Sequence, residues 1–278
     1  MRSFKRGGGM IQIGIIGCGT IGSALARAIQ KRFSKFACLA YVSDINPEQI
    51  QKLRKKINSS RFHVVSVSEL IQKSNFIIET ASIDASCKVI PKVLKAGKSV
   101  LVLSVGGILK ISNLDRLLAK NRGHVYIPSG GVAGIDAVLA AKTGQIRSVR
   151  ITTRKPLRSL RNAPYFSKSG LRPEKIKKPT LIFEGNASEA IRNYPENVNV
   201  AVTLSLAGIG PKKTRVRIFT SPTYQHNMHE IEVQCSFGRI VSQVTNLPSR
   251  ENPKTSALAI GSAIATLDKI FEKIKIGT

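Results

Sequence analysis

The chain has 278 residues and a formal net charge of +28, because 44 Lys and Arg residues stand against 16 Asp and Glu residues. Its 42% hydrophobic content is enough for a folded core, which excludes a wholly disordered chain. No apolar run approaches the roughly 20 residues that a membrane-spanning helix needs, so we expect no membrane partner. The 4 cysteines lie far apart, which argues against a disulfide framework or a metal site and fits the reducing cytoplasm.

The positive charge by itself suggests a polyanionic partner. The basic residues are nevertheless spread along the chain, and with 5% aromatic residues few side chains are available to stack on bases. We therefore expect an ordinary basic surface without a specific nucleic-acid site. Residues 1–9, which join a basic start to three glycines, are interpreted as a loose leader before the folded chain.

A glycine-rich motif follows the first predicted strand. Residues 11–16 are typical of a buried parallel strand, and a helix is predicted from Ser23. The G-x-G-x-x-G sequence between them has the flanking elements that a dinucleotide-binding loop requires. Its glycines permit a tight turn, close approach to a pyrophosphate and close packing of the helix on the strand. The candidate cofactor-binding residues of this loop are Gly17, Gly19, Thr20, Ile21 and Gly22.

Asp44 follows the second predicted strand and lies 22 residues after Gly22. An acid at this distance is placed to accept hydrogen bonds from the adenine ribose hydroxyls. The alternative is that Asp44 caps the helix that begins at Pro47. An acid favours NAD over NADP because it repels a 2′-phosphate, but the many lysines leave NADP open as the cofactor.

The rest of the first half alternates between helix and strand. Strands are predicted at 75–78, 99–103 and 125–127, and helices at 67–71, 85–96 and 114–120. This rhythm indicates an α/β fold with a doubly wound parallel sheet, the Rossmann type, whose ligand lies at the carboxyl ends of the strands. Ala81 and Ser82 follow one such strand and are further candidates for cofactor binding.

After residue 130 the periodicity changes. A second glycine-rich turn, residues 128–134, leads into a helix predicted at 135–142. Three segments then alternate with period 2 around Ile151, Val216 and Ile231, with Phe237 expected on the buried face of the third. One covered and one polar face is typical of a largely antiparallel sheet in an α+β domain. We expect the polar face to serve as a homodimer surface.

The predicted domains follow from these patterns. Residues 10–130, with a C-terminal helix from 255–278 packing back, form the dinucleotide-binding domain. Residues 131–254 form a second α+β domain for catalysis and oligomerisation. The segment 163–178 is polar and contains prolines, so we expect a long loop there.

The chain resembles the L-aspartate dehydrogenase family along nearly its whole length from Met10. The resemblance lies in the glycine motif and in the segments Glu79–Ser82, Ser104–Gly107, Pro128–Asp136, Asn197–Ala207, Asn227–Ile231 and Asn252–Ser256. It implies NAD(P)-dependent oxidation of L-aspartate to iminoaspartate, which gives oxaloacetate and ammonia or feeds quinolinate and NAD biosynthesis. Two features depart from the family: Gly131 stands where alanine is usual, and the charge is unexpectedly high.

Oxidation of an amine by hydride transfer requires a base, since an ammonium nitrogen has no lone pair. Of the 4 histidines, His63 and His124 precede strands of the nucleotide domain, where structural roles are expected. Strand parity places His229 on the face of Ile231 and His226 on the other. A core histidine is the alternative for His229, but the resemblance implies that it is the catalytic base.

Further roles come from the resemblance. It implies that Asn199 binds the nicotinamide carboxamide at the start of a helix, although residues 198–206 also alternate as a strand would, and capping is the alternative role of Asn199. It implies that the backbone of Ala133 approaches the same end of the cofactor. Independently of the resemblance, Lys254, Thr255 and Ser256 are candidates for binding a substrate carboxylate through charge and a helix N-terminus; the alternative is an ordinary helix start after a proline.

Two other functions remain open from the sequence. One is a related oxidoreductase acting on homoserine or dihydrodipicolinate. The other is a non-enzymatic protein that senses NAD or binds polyanions, since fold alone does not determine function.

Overall fold

The computed structural model describes residues 9–58, 61–160, 165–166, 171–195, 198–252, 255–271, 274 and 276–277. The chain divides into two compact units, residues 1–126 and 127–278. The C-terminal helix clusters with the second unit, and its predicted packing on the nucleotide domain stays a prediction. Within the described ranges, no helix has the length and apolar content needed to cross a membrane.

The first unit is built on a parallel sheet, as predicted. In chain order its elements are β1 (Ile11–Ile16), α1 (Thr20–Arg32), β2 (Ala37–Ser43), α2 (Pro47–Ile57), β3 (His63–Val64), α3 (Val67–Lys73), β4 (Phe76–Glu79), α4 (Ile83–Lys95), β5 (Ser99–Val102), a 3₁₀ helix (Val105–Lys110), α5 (Leu114–Lys120) and β6 (Val125–Tyr126). Among the described residues the strand order is β3-β2-β1-β4-β5-β6, and the paired strands are parallel. This confirms the doubly wound fold.

The central strands form because their sequences are apolar on both faces. Residues of β4 and β5 are buried throughout, as strands covered by helices on both sides require. The order of the strands reverses direction at β1 and β4. A doubly wound sheet binds its ligand at this switch point, beyond the carboxyl ends of the strands.

The second unit combines a mixed sheet with helices. Its elements are α6 (Ile135–Ala141), β7 (Ile146–Pro156), 3₁₀ turns at Leu157–Ser159 and Pro173–Lys175, β8 (Thr180–Asn186), α7 (Ala187–Asn193), α8 (Asn199–Ala207), β9 (Arg215–Ser221), β10 (Asn227–Cys235), β11 (Gly238–Asn246) and α9 (Ala257–Phe271). The strand order in the described residues is β11-β10-β7-β9-β8. Pairing is antiparallel except between β7 and β9, which are parallel.

One face of this sheet forms the core of the unit. Val149, Ile151, Val216 and Ile231 are buried there with residues of α7 and α8. Side chains of the opposite parity carry the charges, as the period-2 pattern predicted. The expectation for Phe237 is wrong: it lies in the turn between β10 and β11 with 69% of its surface exposed, because the alternation ends with the strand.

Part of the predicted loop at 163–178 lies outside the described residues. Its described portion contains the 3₁₀ turn at Pro173–Lys175, followed by Ile176, which is buried in the core. The irregular backbone expected from the prolines is therefore present there, and one apolar side chain anchors it.

Candidate active site

The glycine loop at the end of β1 has the backbone that the motif predicts. Gly17 adopts a φ of +94°, and a Cβ atom there would lie 2.7 Å from the backbone nitrogen of Ala81. A Cβ atom on Gly22 would collide with the carbonyl oxygen of Gly17. Around Gly19 there is open space within 4 Å, which leaves room for a ligand beside the backbone. These conditions fit the approach of a pyrophosphate.

Helix α1 starts directly from this loop. Gly19 is its N-cap and provides no side-chain cap, so the first turn, beginning with Thr20, Ile21 and Gly22, presents backbone N–H groups and the positive end of a 13-residue helix. Thr80, which follows β4, fixes the position of the glycine loop, because its hydroxyl donates a hydrogen bond of 2.6 Å to the carbonyl of Gly17. Such a helix start is suited to holding a phosphate.

Asp44 is joined to the glycine loop. Its Oδ2 accepts a hydrogen bond of 2.6 Å from the backbone N–H of Cys18, and its Oδ1 accepts one of 2.8 Å from Asn46. The alternative role for Asp44 is wrong, since Asn46 is the residue that caps α2. Burial and the charge of Asp44 raise the pKa of the Cys18 thiol to about 12, so this cysteine stays protonated at neutral pH.

Glu79 was not predicted as a site residue. It ends β4 with none of its surface exposed, and its two carboxylate oxygens accept hydrogen bonds from the backbone of Ala81 (2.8 Å) and Ser104 (3.2 Å). Burial raises its pKa, and these hydrogen bonds oppose the rise. The carboxylate thereby ties together the loops that follow β4 and β5. An acid ending an otherwise apolar strand was the available signal.

The predicted cofactor residues of the first unit come together at one edge of its sheet. Gly17–Gly22, Asp44, Ala81 and Ser82 follow the carboxyl ends of β1, β2 and β4. Ser82 also caps α4 through a 3.2 Å bond from the N–H of Ala85, and Ala81 is exposed. A helix start, an acid and open glycine backbone on one edge fit a dinucleotide.

His229 lies on β10 of the second unit and is 5% exposed. It is paired in register with Thr153 of β7, whose Oγ1 lies 3.0 Å from Nδ1 of the imidazole. Ile231 is buried on the same face, while His226 is only partly buried. The parity argument for His229 is therefore confirmed by its burial.

The surroundings of His229 keep its imidazole neutral. Burial lowers the pKa of His229 to about 3, and the positive charge of Lys155 contributes to this shift. Lys155 is 7% exposed, and burial lowers its own pKa to about 8. At neutral pH a charged lysine and an uncharged imidazole thus occupy the same region of the unit.

Lys155 is a second residue that the sequence analysis missed. The sequence pattern assigns Val149, Ile151 and Thr153 to the inner face of the sheet. One further step of the same alternation places Lys155 on that face as well. Arg154, between them, lies on the outer face in an ion pair of 3.3 Å with Glu230. The same period that located His229 was sufficient to find Lys155.

The glycine-rich turn before α6 is held by side chains of β11. Asn246 donates a hydrogen bond of 2.8 Å to the carbonyl of Gly131, and Ser242 donates one of 2.9 Å to that of Ala133. A methyl group at Gly131 would lie 3.3 Å from the Asn246 carboxamide, so the usual alanine would require a small shift. Asn246 was not predicted, because this contact joins positions 115 residues apart.

The structure shows the local contacts of two further candidates, whose ligand-binding roles stay predictions. Residues 199–207 form a helix that begins at Asn199, with Val198 as its N-cap, so the capping role of Asn199 is wrong. Ser256 donates a 2.6 Å hydrogen bond to Asn246 and accepts one of 3.3 Å from Ala259 at the start of α9. Thr255 donates its backbone N–H to Asn252, and Lys254 lies outside the described residues.

Comparisons with known proteins extend across both units. Residues 136–270 match the family model described as aspartate dehydrogenase, C-terminal, and residues 17–128 match the NAD binding domain of homoserine dehydrogenase. An L-aspartate dehydrogenase of Methanosarcina barkeri is 45% identical over 97% of this chain and 100% of its own length. One of Methanococcus maripaludis is 40% identical over the same shares. This chain belongs to the L-aspartate dehydrogenase family.

The family membership confirms the resemblance found in the sequence, and the NAD-binding match confirms a dinucleotide cofactor. A crystal structure of aspartate dehydrogenase from Thermotoga maritima aligns with a TM-score of 0.70, covering 97% of this chain and 100% of that one. At 23% identity this likeness confirms the fold of an L-aspartate dehydrogenase. The roles of individual residues stay predictions.

Glu79→Gln tests the link between the two loops. An amide nitrogen would face one of the two backbone N–H groups, and leaving a buried donor unsatisfied costs about 1–3 kcal/mol. We expect weaker NAD binding in a fluorescence titration and a lower melting temperature. The control is Glu69→Gln, whose exposed ion pair with Lys73 is worth about 0.5 kcal/mol or less. Equal effects of the two variants would contradict the role of Glu79.

Asp44→Asn tests the ribose contact. The amide keeps one acceptor oxygen but loses the charge, so the dissociation constant of NAD should rise by about tenfold, with a smaller rise for NADP. Calorimetric titration of both cofactors measures this difference. Asp115→Asn, at an exposed position in the first turn of α5, should leave both constants unchanged. Parallel losses for NAD and NADP would refute the assignment.

The burial of His229 predicts a pH dependence of stability. The pKa of this group falls from 6.5 to about 3 on folding, so between these values the unfolded chain binds a proton that the folded chain does not. Its contribution to stability is present above pH 6.5 and is lost as the pH falls towards 3, by about 1.4 kcal/mol per pH unit. Urea unfolding at several pH values should show this slope in the wild type but not in His229→Gln.

The matched control for this slope is His63→Gln. His63 is exposed in β3, so its replacement should leave the pH dependence as in the wild type. An unchanged slope in His229→Gln would mean that the imidazole is protonated in the folded state.

Proposed function

We propose that this chain is an NAD(P)-dependent L-aspartate dehydrogenase that oxidises L-aspartate to iminoaspartate. The observation that carries the proposal is the 45% identity over the whole length of a relative named L-aspartate dehydrogenase. The buried, uncharged imidazole of His229 supports it, because the reaction needs a base that is unprotonated at neutral pH.

His229 takes the proton from the substrate ammonium group. Thr153 holds Nδ1 at 3.0 Å, so Nε2 is the nitrogen that exchanges the proton. The free amine then has the lone pair that stabilises the developing C=N bond. After hydride loss, the imidazolium releases its proton to solvent, and the neutral imidazole then takes a proton from a water molecule whose oxygen adds to the iminium carbon. The imidazolium returns this proton to the nitrogen, so that the C–N bond can break as the carbonyl forms. Ammonia leaves and oxaloacetate remains.

In the first unit, the glycine loop and the start of α1 would bind the cofactor phosphates, and Asp44 would accept hydrogen bonds from the adenine ribose. By resemblance to the family, Asn199 and the backbone of Ala133, which belong to the second unit, would contact the nicotinamide end. When bound, the nicotinamide supplies the acceptor for the hydride that leaves the substrate Cα. Asp44 favours NAD over NADP.

The finer assignments complete the proposal. The enzyme is cytoplasmic and homodimeric, with the polar face of the second sheet as the dimer surface. Its iminoaspartate feeds quinolinate and thereby NAD biosynthesis. A panel assay separates this function from that of a related oxidoreductase: NADH and NADPH formation is followed with L-aspartate and L-homoserine, and NADH and NADPH consumption with dihydrodipicolinate. L-Aspartate should give the highest kcat/KM.

His229→Ala tests the base. Because both proton transfers depend on one imidazole, kcat should fall by about 100-fold or more, while the dissociation constant of NAD stays within about twofold. Stopped assays for ammonia and oxaloacetate measure the loss. His226→Ala, at the position just before β10 begins, should keep wild-type turnover. Retained turnover in His229→Ala would overturn the assignment, and no turnover of L-aspartate by the wild type would overturn the function.

A further inference from the structure

We propose that Asn246 is a positioning residue for hydride transfer, which holds the glycine-rich turn at residues 128–134 in a fixed place relative to His229. This inference rests on the proposed function and deepens it, because that function assigns the turn to the nicotinamide end of the cofactor and His229 to the substrate nitrogen. Its basis is a buried set of hydrogen bonds that joins the turn, β11 and α9 within the second unit.

The carboxamide of Asn246 links two other segments of the second unit. Asn246 ends β11 and is 3% exposed. Its Nδ2 donates a hydrogen bond of 2.8 Å to the carbonyl of Gly131, and its Oδ1 accepts one of 2.6 Å from the hydroxyl of Ser256. A carbonyl can only accept, so the amide must direct Nδ2 towards Gly131. Asn246 thus joins the turn to the start of α9 through both ends of one buried group.

Two serines hold the same turn at other points. Ser242 of β11 donates a hydrogen bond of 2.9 Å to the carbonyl of Ala133, and Ser262 of α9 accepts one of 3.0 Å from the backbone N–H of Gly130. The turn also contains two glycines in the left-handed region, Gly130 and Gly134, with φ of +73° and +83°. Side chains of β11 and α9 therefore fix the path of this irregular segment.

Strand β11, which carries Asn246, pairs with the strand that carries the base. In the ladder between β10 and β11, His229 lies opposite Val244 and Asn227 lies opposite Asn246. Asn246 and Val244 are two residues apart, so both side chains belong to the face of the sheet on which His229 is buried. The turn is therefore connected to the base through one residue and one pair of strands.

Hydride transfer depends on such a connection. In the proposed function the backbone of Ala133 contacts the nicotinamide end, while Nε2 of His229 takes the proton from the substrate nitrogen. The reacting carbon atoms must meet within a narrow range of distance and angle, and a misplacement of about 1 Å can reduce the rate by about 100-fold. Asn246 acts through the backbone of the turn, since both ends of its carboxamide are engaged by Gly131 and Ser256. It therefore affects the rate of the chemical step and not the affinity for either ligand.

The kinetic test uses Asn246→Leu, whose side chain has nearly the same shape but neither donor nor acceptor. We expect kcat for L-aspartate to fall by about 10- to 100-fold, while KM and the dissociation constant of NAD change by less than about twofold. The control is Asn121→Leu, since Asn121 also donates a hydrogen bond of 2.8 Å, to the carbonyl of Leu117 in the first unit. This control should keep wild-type kcat. A wild-type kcat in Asn246→Leu would overturn the inference.

A pH profile separates positioning from a role in stability alone. In Asn246→Asp, a protonated carboxyl can donate a hydrogen bond to the carbonyl of Gly131, whereas an ionised one cannot. Burial favours the protonated carboxyl, and the positive charge of Lys155 on the same face favours the ionised one. The ratio of the variant's kcat to that of the wild type should therefore rise at least about fivefold from about pH 9 to about pH 5.5. His229 does not contribute to this change, because its pKa of about 3 keeps it neutral throughout.

The possible outcomes can be told apart. If Asn246→Leu does not fold, Asn246→Asp at the alkaline end of the profile decides, and a wild-type kcat there overturns the inference. A flat ratio across the profile, or a lower melting temperature with unchanged kcat, assigns Asn246 to the fold alone. If the wild type oxidises L-aspartate and these variants keep its kcat, the proposed function stands without this inference. If the wild type oxidises no L-aspartate, the proposed function fails and the inference fails with it.

Discussion

In the second unit, the hydroxyl of Thr153 holds Nδ1 of a buried imidazole at 3.0 Å, and a buried lysine lies one step further along the same strand face. Both groups are deprived of water, which lowers the pKa of each. The imidazole is consequently neutral where an exposed histidine would be partly protonated. The chemistry that we propose for this enzyme depends on that neutrality, since a protonated His229 cannot accept a proton.

Two carboxylates play the corresponding part in the first unit: Glu79 is buried, and Asp44 is partly buried. Asp44 and Glu79 each accept hydrogen bonds from backbone N–H groups of loops at the carboxyl edge of the sheet. Both acids therefore fix backbone positions in addition to any contact with a ligand. A dinucleotide-binding edge needs such fixed loops because the phosphate and ribose contacts are made largely by backbone and by one acid. Fixing the loops before binding lowers the entropy that binding must offset.

The parts of the structure that could be predicted from the sequence are those determined by local patterns. The glycine loop between β1 and α1 and the parity of His229 follow from short stretches of residues. The parallel pairing of β7 with β9 could not be predicted, because a period of 2 does not specify strand direction. Residues 199–207 alternate as a strand but fold as a helix, since their apolar composition is compatible with burial in either form. Asn246 depends on a contact between positions 115 residues apart, for which the sequence carries no local signal, whereas Glu79 is marked as an acid that ends an otherwise apolar strand.

Contacts on both faces of the sheet stabilise the register of β10 on β7 and thereby the position of His229. A slip of one residue would turn His229 to the outer face and bring Glu230 into the core. Inside, burial of Ile231 and Val233 opposes the slip, because their apolar surface would be exposed. Outside, it would break the ion pairs of Glu230 with Arg154 and of Glu232 with Arg150. The charged outer face, which contacts no reacting group in our proposal, therefore helps to keep the base and the lysine together on the inner one.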